Sequence, residues 1–267
     1  MNTSEINSTI VDNLYISGCC IAASCAVNLV LSVPANGYVI YQILNGGMTA
    51  LELFAFNLAV SENLFCLSSV LYAVSKFITT TPVVRAGKIA LGFMFTGRPL
   101  FQCCICVERY LAVVHPVIFL KYKPLRYRLA CCGAVWLLVL VVTLVCIFVT
   151  LSVYIYAVLV QNIILVCVMM FCCLSVLRAL KRAGPGKGDR EGTNMTKMKA
   201  FKIILLIQVT MLVSYVPLLT VSSLYLVLDV VVWHFSYSII FLILLTTGLV
   251  QPLLHIHRAG KLSCIKA

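Results

Sequence analysis

Charge is what this chain has least of. Only 10% of its 267 residues are Asp, Glu, Lys or Arg, against about 25% in a soluble domain. There is too little polar surface to cover a water-soluble fold, so the chain reads as a polytopic membrane protein. Acids are scarcer still: 8 against 20 basic residues, for a net charge of +12. That excess does not point to nucleic acid, because the basic residues sit in short segments between apolar runs, which is a topology signal. From 129 to 177 there is no charged residue at all. The first fifteen residues have no Lys or Arg, hence no positive n-region, and no cleavable signal peptide is expected. Catalytic groups are also missing as a set. His255 and His257 form an isolated pair, with no nucleophile, base and orienting group around them. The 14 cysteines lie mostly inside apolar runs, often as pairs such as Cys103-Cys104 and Cys172-Cys173. There they act as small polarisable hydrophobes, and neither a metal centre nor a cofactor is expected.

What is present is apolar length. Mean hydropathy is +1.07 and 62% of residues are hydrophobic. A helical span needs roughly 20 apolar residues, which leaves room for about six to eight. Seven are expected, at about 16–44, 51–75, 86–114, 129–149, 152–180, 201–228 and 231–255. The uncharged stretch 129–177 must cross twice, because the basic segments on either side, 121–128 and 178–202, belong on one face. Lys76 to Lys88 is read as the connection between spans 2 and 3. The expected layout is an extracellular segment 1–15, an all-α seven-helix bundle 16–256 and a cytoplasmic tail 257–267. Inner segments then hold 16 of the 20 basic residues. The N-terminus lies outside, where the acceptors at Asn2 and Asn7 can be glycosylated. In the tail, Cys264 between Lys261 and Lys266 fits S-palmitoylation or a plain unmodified thiol.

Polar residues inside the spans are costly and should face the bundle. They are Asn36, Glu62, Arg98, Gln102, Thr247 and Gln251. Gln102 and Arg98 precede Arg109 by seven and eleven residues, which puts both within about 20° of the face of Arg109. Glu62 lies about 18 Å into span 2, at a depth similar to that of Arg98. The two could pair, or Arg98 could meet carbonyls or water elsewhere. Thr247 and Gln251, four apart, share a face of span 7.

Several motifs resemble those of the rhodopsin-like (class A) G-protein-coupled receptors, in the right order along nearly the whole chain. Glu108-Arg109-Tyr110 resembles the acid-Arg-Tyr motif at the inner end of helix 3. Asn36 falls in the asparagine motif of helix 1. Asn57-Leu58-Ala59-Val60-Ser61-Glu62 is similar to Asn-Leu-Ala-x-x-Asp of helix 2, and Trp136 stands where helix 4 has its tryptophan. Ser214-Tyr215-Val216-Pro217 resembles Cys-Trp-x-Pro of helix 6. Gln251-Pro252-Leu253-Leu254-His255 falls at Asn-Pro-x-x-Tyr of helix 7. Taken alone, the tripeptide also fits an ordinary charge cluster at a membrane edge.

The resemblance implies a plasma-membrane receptor that passes a ligand signal to a heterotrimeric G protein, with membrane lipid around it. Glu108 would hold Arg109 at rest. On activation span 6 would swing about Pro217, with Tyr215 and Pro252 in the switch, and Val117 would enter a partner pocket. A Glu62–Arg98 pair would replace the family's sodium site. Leu91 stands where amine receptors place an aspartate, so an amine ligand is not expected. Leu91, Met94, Phe95 and Tyr215 are the candidate ligand pocket. The motifs look closer to peptide, nucleotide and lipid receptors than to amine or odorant receptors. There are departures. No cysteine lies near Val84 for the family's usual outer disulfide, and the inner end of span 6 carries Lys197 and Lys199 instead of an acid. These leave two alternatives: a receptor-like protein that no longer signals, acting as decoy or partner subunit, and a transporter. For the transporter neither a repeated half nor a pair of broken helices is seen.

Overall fold

The structure is a computed structural model that describes residues 3–48, 52–78, 80–122, 124–182, 191–224 and 227–258. Side chains are described for these except 3–11, 14, 151, 180–182, 191–204, 207–208 and 255–258. Asn2 and Cys264 lie outside the described residues, and Asn7, Lys197, Lys199 and His255 outside the described side chains.

Among the described residues every regular element is a helix: α1 (Thr3–Asn45), α2 (Leu53–Phe77), α3 (Thr81–Val114), α4 (Pro116–Lys121), α5 (Leu125–Phe148), α6 (Leu151–Arg182), α7 (Glu191–Ser223), α8 (Val230–Thr247) and α9 (Val250–Arg258). Six stretches are long and apolar enough to cross a membrane. Val209–Ser223 of α7 is a seventh, shorter apolar stretch. Helices prevail because hydrocarbon offers no partner for a free backbone N–H or C=O.

The helices close into a ring. α1 packs on α2 and α8, α2 on α3, α6 on α7, and α7 on α8. α3 is the hub, touching α2, α5 and α6. That role explains why its middle is buried on nearly all sides from Met94 to Cys103, Leu100 being half-buried. Small residues let it sit so close. A Cβ on Gly92 would come within 2.6 Å of Thr143 Cα in α5, and one on Gly97 within 2.6 Å of Ser61 Oγ in α2. The largest core cluster runs from Ile21 and Phe65 through Met94 and Phe95 to Tyr215, Phe241 and Leu245.

Four features differ from expectation. The helix preceding span 1 starts at Thr3, so most of the first fifteen residues continue α1. The link between α2 and α3 is only residues 78–80, because Pro82 sits in the first turn of α3, where a missing N–H costs nothing. A short helix, α4, follows Pro116 directly. The last crossing is interrupted at Gly248–Leu249, separating α8 from α9. Thr247 and Gln251 therefore stand on two helices.

Gly92→Ala should lower stability by about 1–3 kcal/mol through overpacking against α5. Gly37→Ala, which meets nothing within 4 Å, should leave it unchanged. Thermal unfolding midpoints of the two purified variants check this, and equal midpoints would contradict the close α3–α5 approach.

Candidate functional site

The centre of the bundle is built around Arg98, one helical turn after Met94 on α3 and 2% exposed. A guanidinium cannot deprotonate in a protein, so in hydrocarbon it must be met by an anion and by acceptors. Its Nε lies 2.8 Å from Glu62 Oε1 on α2, and Glu62 is itself 1% exposed. Its Nη1 donates to the Leu244 carbonyl at 2.6 Å and its Nη2 to Thr247 Oγ1 at 3.1 Å, both on α8. Thr247 Oγ1 also accepts from Ser214 Oγ of α7 at 2.7 Å and donates to Leu244 O at 3.0 Å. One side chain thus connects α3 to α2 and α8 directly, and to α7 through one hydroxyl. Phe65 lies under the guanidinium at 5.9 Å. Gly248 makes room for the acid: a Cβ there would sit 2.9 Å from Glu62 Oε2.

The two readings of Arg98 left open by the sequence are both realised, since it takes the acid and a carbonyl at once. Gln251 is half-buried, and among the described residues no hydrogen bond joins it to this network. Gln102 is 1% exposed, yet neither Nε2 nor Oε1 finds a hydrogen-bond partner among the described residues. Asn36 is buried, but its amide bonds back to Ser32 O on its own helix at 3.0 Å. The asparagine that does cross is Asn28, whose Nδ2 donates to Cys66 Sγ of α2 at 3.0 Å and whose Oδ1 accepts from Ser32. Its signal was available as a lone amide in an apolar run, without a motif around it. Asn57 Oδ1 accepts from Trp136 Nε1 at 2.8 Å, joining α2 to α5.

At the other end of α3, Glu108 is 7% exposed and pairs with Arg128 Nη2 of α5 at 2.7 Å. The expectation that Glu108 holds Arg109 is therefore corrected. α5 begins close enough to place Arg128 on the carboxylate, whereas Arg109, the next residue on α3, is turned about 100° away. Arg109 is half-buried, and among the described residues it has no ion pair. Tyr110 meets His115 Nε2 at 3.1 Å and packs on Phe171 of α6. Val117 on α4 is 80% exposed. Pro217 lies inside α7, where it removes one backbone bond, Tyr215 just before it is 2% exposed, and Pro252 is buried in α9.

At the opposite end from Glu108, a cavity of about 350 Å³ is lined by Tyr72, Leu91, Tyr154, Ile155, Trp233 and Tyr237, among others. Of the four expected pocket residues, only Leu91 lines it. Met94 and Phe95 are packed into the core, and Tyr215 lies deeper in the same cluster. One turn below Leu91 the side chains are buried in the core, and Phe95 meets the Tyr237 ring of α8 at 6.3 Å. Tyr154 OH donates to Leu91 O at 2.6 Å, so this hydroxyl braces α6 on α3.

Two stability outcomes follow. Glu62→Gln strands a buried guanidinium and should cost about 3–5 kcal/mol, while Glu62→Leu/Arg98→Met should regain most of that loss. A double-mutant cycle of unfolding midpoints reads the coupling, and additive losses would remove the ion pair. Gln102→Met, which deletes an amide without partners, should raise stability by about 1–2 kcal/mol. A lowered midpoint would show that the amide is satisfied.

Residues 35–154 match the family model for 7 transmembrane receptors (rhodopsin family). C-X-C chemokine receptor type 1 of Oryctolagus cuniculus is 32% identical over 124 residues, 45% of this chain and 35% of the relative. C-C chemokine receptor type 8 of Homo sapiens is 28% identical over 201 residues, 62% of this chain and 52% of the relative. Proteinase-activated receptor 3 of Bos taurus is 28% identical over 112 residues, 40% and 29% respectively. The chain thus spans about a third to a half of the length of these relatives. The match takes in the Glu62–Arg98 pair, the Glu108–Arg128 pair and the Asn57–Trp136 bond together. With this ordered set of helices, the chain is a multi-pass membrane protein that over residues 35–154 is similar to the rhodopsin family of seven-transmembrane receptors.

Proposed function

We propose that this chain is a receptor that reports an outside ligand to a heterotrimeric G protein. The observation that carries the reading is the inner end of α3. Glu108 is taken by Arg128, which leaves Arg109 without an anionic partner among the described residues. Arg109 shares its face with Gln102 and Arg98, so it points toward the interior seam of the bundle, where a partner helix could reach it. The N-terminus is outside and the tail inside, as the basic residues require. Asn2 and Asn7 carry glycans, and Cys264 anchors the tail to lipid when acylated. Span 6 moves about Pro217, with Tyr215 and Pro252 repacking and Val117 on the exposed face of α4 meeting the partner. The mechanism is a shift between two bundle states that the ligand binds unequally.

The relatives named above are chemokine and proteinase-activated receptors, which supports a signalling role without assigning their ligands here. A second reading, a receptor-like decoy or partner subunit, is favoured by one observation. Arg98 fastens α2, α3 and α8 together with a fully buried ion pair, which opposes large rearrangement at the centre.

The test is basal signalling across G-protein classes in cells with matched surface expression. Wild type should signal without ligand, and Arg109→Ala should fall to background. Arg128→Ala should lower the signal about fivefold, as about 1 kcal/mol of population shift gives, because the released Glu108 turns to Arg109. Adding Glu108→Gln to Arg128→Ala should restore it. A silent wild type across all classes would favour the decoy.

A further inference from the structure

The cavity lined by Tyr72, Tyr154, Trp233 and Tyr237 has a neighbour of about 370 Å³, lined by Tyr15, Ser17, Gly18, Ile21 and Phe77. Both share two further residues, Lys76 and His234. Each volume falls in the range of about 300–1,000 Å³ typical of small-molecule sites. The walls are aromatic. Trp233 stacks on Tyr237 at 5.1 Å, and Tyr15 meets Phe77 edge-on at 5.7 Å. Among the described residues no Asp or Glu lines either cavity. Among the described residues, Lys76 is the one Lys or Arg in both linings. Its Nζ stands 4.8 Å from the centre of the Tyr72 ring, and among the described residues it makes no ion pair. Asp229 lies between the lining residues Leu228 and Val230, but its own side chain is exposed and is not part of the wall.

We propose that this end of the bundle binds an organic anion, its acid group on Lys76 at the partition between the two cavities and its apolar or aromatic body against Tyr72, Trp233 and Tyr237. A cation without a counter-ion at the wall of an apolar cavity repels amines and gains a charge-assisted hydrogen bond from a carboxylate, sulfate or phosphate. The two cavities on either side of Lys76 suit a body with one or two apolar arms. His234, at the same partition, supplies a ring nitrogen as a second polar contact for the acid. Tyr154 contributes its ring alone, since its hydroxyl is spent on Leu91 O. The inference deepens the receptor reading by naming a ligand class for its outer site, and binding is measured without any signalling partner.

The experiment uses the purified full chain and two skeletons, 4-phenylbutyrate and decanoate, each compared with the amide and the amine of the same skeleton. At least one acid should raise the thermal unfolding midpoint saturably while its amide and amine do not. Lys76→Gln should weaken the apparent affinity about tenfold or more, and Lys76→Arg should retain it. An amine or amide acting as strongly as the acid would overturn the proposal, as would an unchanged response in Lys76→Gln. So would the absence of a saturable acid effect in the low-millimolar range. A saturable, Lys76-dependent effect in a protein that never signals would keep the anion site and remove the receptor reading. Signalling with no acid effect would do the reverse.

Discussion

A permanent positive charge sits in the middle of an apolar bundle, and the rest of the core is arranged to accept it. Arg98 cannot shed its proton, and its helix is held on the hub of the fold. The carboxylate of Glu62 neutralises it, and a carbonyl and a hydroxyl from α8 take the outer nitrogens. Each of these contacts needs space next to a backbone. Gly97 supplies it against Ser61, and Gly248 supplies it beside Glu62. The turn at Gly248–Leu249, which splits the last crossing, falls where the acid approaches. The charge and the break in the helix therefore belong to one local solution.

α3 is fastened at two depths and by two different partners. At the centre the ion pair runs to α2. At the far end Glu108 runs to Arg128 on α5, with the guanidinium 5.7 Å from the Phe119 ring of α4. Contacts from α3 toward α6 have another character. Among the described residues they include the packing of Tyr110 on Phe171 and the Tyr154 hydroxyl on Leu91 O, with no ion pair. Among the described residues, α7 is joined to the polar centre through the Ser214–Thr247 hydroxyl contact. A fixed frame of α2, α3 and α5 thus faces a more loosely joined pair, α6 and α7. Breaking a hydroxyl contact costs about 1 kcal/mol net, far less than separating a buried ion pair.

The ingredients of the centre were legible in the sequence because charges are so rare here. A lone acid and a lone arginine at matching depths, on neighbouring spans, have few alternatives, and helical phase alone put Arg98 and Gln102 on the buried face. The acceptors on α8 were not legible. Leu244 contributes a carbonyl, which every residue has, and Thr247 was read only as sharing a face with Gln251, not as an acceptor for Arg98. The partner of Glu108 was missed for a related reason. Arg109 is adjacent in sequence, but successive residues on a helix point about 100° apart, and the basic run after Pro116 was read only as a topology signal. It forms α4 and the start of α5, which carries Arg128 back onto α3. Of the expected pocket residues only Leu91 lines the cavity beside Tyr72, because apolar side chains are indistinguishable by type from pocket walls.

The distribution of unpaired polarity along α3 has a directional consequence. Among the described residues, Lys76 near one end of α3 and Arg109 at the other make no ion pair, while the two buried acids Glu62 and Glu108 are both taken. Negative charge is thus consumed inside the protein, and positive charge is left at the two ends of the hub. The arrangement places its open valences where other molecules can arrive. The paired core between them is rigid enough to keep the two ends in register. A change in packing at one end can reach the other only through the looser seam that α6 and α7 form against α3.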